Sequence, residues 1–250
     1  MAPKVSVSIV TYNNGQQLHD CVESLFRCNT ECDLKVFIID NYGLDNVRER
    51  FSHYPVTIID GHGNIGFGRG HNLVLELLDS DYHAVINPDI QFSEDTLSAL
   101  CKFLSQNPDT VMATPKMLNV DGSIQGVPRL KPSFFYLLSG RVPGLKWVRN
   151  RYTMAGRNFD ESFEIEFCTG CFFIMPTEIY KKLGGFDPRF FMYFEDTDIT
   201  HRAAELGRVM YAPVSSVTHA WNRTSKRNLK YLFIHIKAYF QYIHKWGFRL

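Results

Sequence analysis

The chain has 250 residues, 45% hydrophobic and 14% aromatic, enough to build a sizeable core in one large domain or two small ones. Its formal net charge of +1 argues against a bulk nucleic-acid binder, so any basic surface is local. No apolar run reaches the roughly 18 residues of a membrane span, and the N-terminal Met-Ala-Pro-Lys before a strand-like run is too short for a signal peptide, which predicts a cytoplasmic protein.

In chain order, residues 5–11 read as a short apolar strand ending in the polar turn Tyr12-Asn-Asn-Gly15. Leu18, Cys21, Val22, Leu25 and Phe26 then recur at helical spacing. A second strand is expected at 34–40, a short helix at 46–51 and a third strand at 56–60. Residues 61–70 are glycine-rich and 72–78 read as helix. A fourth strand at 83–87, a helix at 93–105 and a fifth strand at 111–115 follow. The segment 122–156 is rich in Pro, Gly, Arg and aromatics, and is expected to be a mobile connection with a short helix near 134–138. Strand character returns at 163–175, then a helix at 177–183 capped by Thr177. A helix at 197–206 closed by Gly207, a strand at 208–212 and a long helix at 228–246 complete the chain. Six cysteines (Cys21, Cys28, Cys32, Cys101, Cys168 and Cys171) show no disulfide-framework spacing, and Cys168-x-x-Cys171 lacks a second pair at zinc spacing.

Strands alternating with helices predict a parallel sheet wound with helices, with ligands at the carboxyl ends of the strands. The polar motifs fall there: Thr11-Tyr12-Asn13, Asp40-Asn41-Tyr42 and Asn87-Pro-Asp89. Asp40 either accepts hydrogen bonds from a nucleoside or caps the next turn. The stretch from Asn64 to Asn72 supplies glycines, Gly66 among them, and Arg69 for a phosphate, or is a plain turn before a helix. It is not a dinucleotide fingerprint, because it follows the third strand and not the first. Asn87 and Asp89 offer hard oxygen atoms at two-residue spacing, suited to Mg²⁺ or Mn²⁺ on a diphosphate, or form an ordinary strand-to-helix turn. From Gly184 to Arg202 an aromatic run leads into Glu195, Asp196 and Asp198, with Arg189, His201 and Arg202 at hand. Carboxylates beside so much apolar surface are paired, protonated or used in chemistry, or else oppose a helix macrodipole. His219 is a further candidate metal ligand.

The ordered set is an Asp after strand two, a glycine loop, Asn-Pro-Asp after strand four, an acidic cluster and a late His. It resembles an inverting family-two glycosyltransferase of GT-A fold over nearly the whole chain, from Val5 to about Trp246. Within that family it is most similar to bacterial rhamnosyltransferases of polysaccharide synthesis, through Ile86-Asn-Pro-Asp-Ile90, Arg129-x-x-Pro132, Cys168-Thr-Gly-Cys171, Gly185-Phe-Asp187, the run from Phe191 to Asp198 with Arg202, and His219. Gly43 and Asn87 depart from the commoner Ser and Asp of the family. The resemblance implies an α/β GT-A domain over 1–225, with a nucleotide-sugar half at 1–120 and an acceptor half at 121–225. It implies dTDP-L-rhamnose as donor and a glycan or undecaprenyl-diphosphate-linked acceptor. By the same resemblance Thr11, Tyr12, Asn13, Asp40, Asn41, Gly66, Arg69, Asn72 and Asn87 serve the nucleotide. Asp89 and His219 hold Mg²⁺ or Mn²⁺, Asp196 is the general base, and Glu195, Asp198 and Arg202 bind the acceptor or support the base.

A UDP-hexose or other deoxysugar donor satisfies the same motifs. A nucleotidyltransferase would carry a basic glycine-rich loop after strand one, which Thr11-Tyr-Asn-Asn-Gly15 lacks. A non-catalytic glycan-binding module needs neither a nucleotide site nor acids beside the acceptor. Residues 226–250 carry Leu229, Leu232, Phe233, Ile236, Phe240, Ile243 and Trp246 near helical spacing among Lys and Arg. Such a basic amphipathic helix either lies on an anionic membrane surface, which places the protein on the inner face of the cytoplasmic membrane, or packs on the core.

Overall fold

The computed structural model describes residues 2–126, 129–131, 144–220 and 229–248. The helix expected near 134–138, Pro132 and the segment 221–225 lie outside the described residues. The expected wound α/β sheet is present. Four strands, β1 (Lys4–Thr11), β2 (Asp33–Asp40), β3 (Val56–Ile59) and β4 (Tyr82–Ile86), pair in parallel in the order β3-β2-β1-β4. The second half adds β5 (Ile90–Phe92), β6 (Thr110–Leu118), β7 (Phe163–Glu164), β8 (Phe172–Pro176) and β9 (Arg208–His219). The order continues β4-β8-β6-β9-β5, with β8 antiparallel to both neighbours and β6 parallel to β9.

Alternation along β1 explains why both faces are covered. Val5, Val7 and Ile9 face a core shared with Leu18, Val22 and Leu25 of α1 (Gly15–Cys28) and Leu97, Leu100 and Leu104 of α4 (Thr96–Gln106). Each such buried side chain contributes about 1.5–3 kcal/mol. Val10 faces a second core with Val74, Tyr180, Phe186 and Ile199. Ser6 and Ser8 share that second face and are satisfied by buried histidines. Ser6 Oγ lies 2.8 Å from His83 Nδ1, and Ser8 Oγ lies 2.7 Å from His71 Nδ1 and 3.0 Å from His83 Nε2. Burial pushes both imidazolium forms down, His83 to about 3, so both rings stay neutral.

Several elements differ from expectation for physical reasons. The short helix after β2 is α2 (Val47–Arg50). The next helix, α3 (Phe67–Asn72), starts inside the glycine-rich stretch, and only a 3₁₀ turn (Leu75–Leu77) follows. Its glycines serve close packing: a Cβ at Gly70 would lie 2.8 Å from Val10 Cγ2, and one at Gly68 would lie 2.7 Å from Phe186 Cβ. In α4 the cap is Asp95, which accepts from Ser98 N at 3.0 Å. Within the described part of the connection 122–156, Ser123 O accepts from Asn119 N, and α5 (Lys146–Tyr152) forms. Residues 163–175 divide into two strands around the Thr169-Gly170 turn. Thr177 opens α6 (Thr177–Lys182) as its first helical residue after Pro176 and makes no cap bond. The late strand segments join into one strand, β9, whose register against β6 shifts between Thr114 and Lys116, beside Pro213, which has no N–H to donate. The acid-bearing helix α7 (Glu195–Ala204) begins two residues early. It follows Tyr193 and Phe194, both in the left-handed region with φ of 71° and 64°. Non-glycine residues there are held by surrounding contacts, and such strain clusters at functional sites.

The C-terminal helix α8 (Leu229–Trp246) packs on this strained corner. Ala238 and Tyr242 are buried with Phe190 and Phe194. No helix among the described residues is long and apolar enough to cross a membrane.

Candidate active site

Parallel register sets Thr11 beside Asp40 at the carboxyl edge of the sheet. Asp40 is buried, and its carboxylate accepts from the backbone N–H groups of Tyr42 (2.9 Å), Gly43 (3.0 Å) and Leu44 (2.6 Å). Of the two roles open to it, the structure displays the turn cap. The groups left facing the edge are its neighbours. Thr11 Oγ1 and Asn41 Oδ1 are buried without hydrogen-bond partners, while Asn41 Nδ2 donates to Gly66 O at 3.0 Å. Tyr12 and Tyr42 are half exposed and meet edge to face at 5.2 Å. Tyr42 closes the polar motif that follows strand two, and the turn that Asp40 caps sets its ring at this edge. Asn13 adopts φ 58° at the same turn.

The Asn-Pro-Asp turn leads directly into β5, which pairs with the end of β9, Ile90 opposite His219. That pairing brings Asp89 to His219. Asp89 Oδ1 and His219 Nε2 face each other at 3.3 Å, yet both atoms are buried without a hydrogen-bond partner. Adjacent ligand atoms in an octahedral shell with bonds near 2.1 Å lie about 3 Å apart. The carboxylate oxygen suits Mn²⁺ or Mg²⁺ and the imidazole nitrogen favours a first-row transition metal over Mg²⁺, so the pair fits a divalent cation. Gln125, also absent from the sequence reading, orients the imidazole, its Oε1 3.0 Å from Nδ1 and its Nε2 donating to His219 O. Burial opposes the His219 imidazolium, but the Cys171 sulfur and the Asp89 carboxylate offset this and hold its pKa up, at about 10. A cation bound there would displace that proton. Asn87 is fixed through its backbone, donating N–H to Cys171 O at 2.8 Å.

One residue earlier, Gly170 N donates to Asp196 Oδ2 at 3.2 Å, so the Gly170-Cys171 pair joins the Asn-Pro-Asp turn to the acid helix. Asp196 Oδ1 accepts from Thr197 N at 2.8 Å. Thr200 Oγ1 ties Asp196 O (2.7 Å) to Cys168 O (3.2 Å). Cys168 and Cys171 are free and buried, and they serve as this backbone anchor. Burial pushes the Asp196 carboxyl up, partly offset by the bonds from Gly170 and Thr197 and by the charge of Arg129. Burial, then the Asp196 charge, pushes Glu195 well above the usual range, and its Oε2 is buried without a partner. In such a pair the proton resides on the carboxyl with fewer donors. Glu195 is therefore the protonated member, and Asp196 the ionised one, its basicity raised above that of an ordinary aspartate by burial.

Other expected site residues have structural work. Asp198 is fully buried and turned away from Asp196, accepting from Arg202 Nε (2.9 Å), Trp246 Nε1 (2.8 Å) and Lys245 Nζ (2.6 Å). Arg202 also donates to Leu183 O and Gly185 O. Asp198 thus clamps α7 to α8, and Arg202 ties α7 to the turn carrying Leu183 and Gly185, an arrangement of the base-supporting kind expected of them. Lys245 and Trp246 were not foreseen in this role, because they lie over 40 residues downstream. The Asn72 amide is consumed by Phe186, accepting from its N–H (2.8 Å) and donating to its C=O (2.7 Å). Arg69 is exposed and donates to Pro188 O at 2.7 Å. Gly66, at φ 94°, allows close approach: an added Cβ would lie 2.4 Å from Phe191 O. These three residues lock the glycine loop to the segment before the acids, a contact between chain halves that a phosphate role does not require.

The chain matches the family described as Glycosyl transferase family 2 over residues 6–184. It is 29% identical over 238 residues to the N-acetylglucosaminyl-diphospho-decaprenol L-rhamnosyltransferase of Mycobacterium tuberculosis, covering 88% of this chain and 76% of that one. It is 22% identical over 248 residues to rhamnosyltransferase WbbL of Escherichia coli, covering 96% and 92%. Among solved structures, GalNAc-T7 with UDP, GalNAc and Mn²⁺ superposes with TM-score 0.73 at 16% identity, over 98% of this chain and 48% of that one. The mannosyltransferase PcManGT of Pyrobaculum calidifontis, with GDP-Man and Mn²⁺, gives 0.66 at 15% identity, over 98% and 65%. The chain thus spans about half to two thirds of those solved proteins, and at such identity the likeness speaks for the fold. The fold is GT-A, and the chain belongs to glycosyl transferase family 2 as a glycosyltransferase.

Proposed function

We propose that this glycosyltransferase moves L-rhamnose from dTDP-L-rhamnose to a hydroxyl of a lipid-linked glycan, with inversion and Asp196 as general base. The buried, hydrogen-bonded Asp196 beside a protonated Glu195 carries the mechanism. The two relatives named as rhamnosyltransferases support the sugar, and the diphospho-decaprenol in one of their names supports a lipid-linked acceptor.

The nucleoside lies over the Tyr12–Tyr42 pair, with Thr11 Oγ1 and Asn41 Oδ1 as its polar contacts. Asp40 acts through the turn it caps. Asp89 and His219 hold the divalent cation, which when bound neutralises charge on the leaving diphosphate. Asp196 accepts the proton of the acceptor hydroxyl while that oxygen attacks the anomeric carbon from the face opposite the diphosphate. A positioned base of this kind contributes about 10²–10⁴-fold. Glu195, kept protonated, adds no second negative charge beside the base and lends a hydrogen-bond donor to the acceptor side.

The test is the purified protein against dTDP-L-rhamnose, UDP-glucose, UDP-GlcNAc and GDP-mannose, with Mn²⁺ or EDTA. The readouts are thermal shift and donor hydrolysis. A metal-dependent shift confined to the dTDP donor is expected; a shift with a UDP or GDP donor discards rhamnose, and equal shifts in EDTA discard the metal. Asp196→Asn should leave donor binding intact and abolish transfer; unchanged turnover removes Asp196 from the reaction.

A membrane contact through α8 is part of the same proposal. Its outer face exposes Leu229, Leu232, Phe233, Ile236 and Phe240 together with Lys230 and Lys237, while the opposite face packs on the core. Apolar area flanked by lysines suits an anionic bilayer on the cytoplasmic side. The full chain should sediment with phosphatidylglycerol vesicles, and a Phe233→Glu, Phe240→Glu variant should not. Equal sedimentation of both refutes the contact.

A further inference from the structure

Residues 129–131 run beside the base and carry two cations with no role in the account above. Arg129 bridges antiparallel to Phe167, and its carbonyl accepts from Phe167 N at 3.0 Å and Glu166 N at 3.3 Å. Three residues after Phe167, Gly170 N donates to Asp196. The backbone therefore fixes Arg129 along the path that holds the base. Its guanidinium carbon lies 5.7 Å from the Phe167 ring centroid, and its Nε is buried without a hydrogen-bond partner. Among the described residues that guanidinium forms no ion pair. Lys131 Nζ lies 2.9 Å from His201 Nε2, five residues beyond Asp196 on α7, or about 7.5 Å along the helix axis. The acidic groups on this side are Glu195, Asp196 and Glu166, whose carboxylate accepts from Lys131 N at 3.0 Å. Leu130 N donates to Tyr152 O, which draws in α5 with Lys146, Arg149 and Arg151.

The guanidinium acts on Asp196 through charge but hydrogen-bonds no carboxylate among the described residues, and its planar fork matches a phosphate group. In the proposed function the cation held by Asp89 and His219 already accounts for the donor diphosphate, and Arg129 lies on the base side. We propose that Arg129 and Lys131 form an anion subsite that grips a phosphate of a glycosyl diphosphate acceptor while its sugar hydroxyl meets Asp196. The inference rests on Asp196 marking the acceptor side. The ligand is a diphosphate ester, and the donor is the rival source of that chemistry.

Titration calorimetry of the full chain decides between them. The donor site is first saturated with Mn²⁺ and whichever nucleoside diphosphate the donor panel selects. Farnesyl diphosphate and farnesol are then titrated. The diphosphate should bind at least about tenfold more tightly than the alcohol, a difference of one charge-assisted contact. Arg129→Gln should erase that preference, Lys131→Gln should reduce it, and Arg129→Lys should recover part of it, with all three variants folded by circular dichroism. The proposal falls if the wild type shows no preference, if Arg129→Gln keeps it, or if the nucleoside diphosphate displaces farnesyl diphosphate, which would assign Arg129 to the donor. No sugar enters this assay, so a wrong donor sugar shows in the donor panel and leaves the titration readable.

Discussion

Asp198→Asn removes the charge at the centre of the clamp between α7 and α8. The wild-type carboxylate is fully buried and takes Arg202, Lys245 and Trp246 as donors. Asparagine keeps one acceptor oxygen but turns an amide donor toward a cation. Breaking a buried ion pair by neutralising one partner costs about 3–5 kcal/mol. The lower end applies here, because Arg202 retains two carbonyls and Lys245 retains Asp187 at 2.8 Å. A loss of about 3 kcal/mol lowers the melting temperature of a chain this long by about 6–12 °C. The effect reaches chemistry because Asp196 sits two residues away on the same helix, and a displacement of about 1 Å costs about a hundredfold in rate. We expect kcat to fall at least tenfold while donor affinity, set by β1 and β2, stays unchanged. Melting is followed by circular dichroism, and kcat is measured well below the variant's transition. A transition within about 2 °C of wild type, with unchanged kcat, refutes the clamp.

Three further outcomes follow from the same physics. Burial holds the folded-state pKa of Glu195 well above its unfolded value near 4.3, so the native state binds the extra proton and stability falls as pH rises past that value. Glu195→Gln should therefore gain stability over wild type increasingly from pH 4 to pH 8 in urea titrations; a pH-independent difference contradicts the assignment. Asp187 is shifted the other way, held low by Arg189 and then Lys245, so its contribution is present above about pH 3.9 and is lost as pH falls toward its folded value. The deficit of Asp187→Asn should shrink between pH 4 and pH 2, and a constant deficit would sink this reading. Gly66→Ala forces a Cβ to within 2.4 Å of Phe191 O at φ 94° and should cost about 1–3 kcal/mol together with donor binding; a wild-type melt disproves the close contact.

The first half of the fold was legible because each strand is a dense apolar run closed by a polar turn, as in the stretch from Val5 to Thr11 and Asn13. The second half was harder for local reasons. β5 has three residues, too few for a period to register, yet it is the strand that delivers Asp89 to His219. Pro213 read as the end of a strand, but a register shift carries β9 past it. Tyr193 and Phe194 gave no sign of left-handed backbone, because the side chains that hold them come from α8.

The site was legible where a residue's chemistry is exposed in its local pattern and illegible where a distant partner decides its use. Asp89 Oδ1 and His219 Nε2 have no hydrogen-bond partner among the described residues, and burial raises the basicity of Asp196. Asn72 and Arg69 carry equally suitable groups but are committed to distant backbone partners, whereas the Asp40 cap and the Asp198–Arg202 pair are local and were among the roles their sequence positions offered. No spacing rule reveals that Asn72 meets Phe186 or that Asp198 meets Trp246, since those pairs are 114 and 48 residues apart. The division has a physical consequence. Committed polar groups stiffen the frame around the acids, and the uncommitted ones, Thr11 Oγ1, Asn41 Oδ1, Asp89 Oδ1, His219 Nε2, Glu195 Oε2 and Arg129 Nε, each leave a buried atom unsatisfied. Each such atom costs about 1–3 kcal/mol until something outside the chain meets it. Under the proposed function these six atoms fall into a nucleoside group, a cation group and an acceptor group, while the unsatisfied atoms of His19, His62, His71, Thr110 and Tyr180 belong to none of the three.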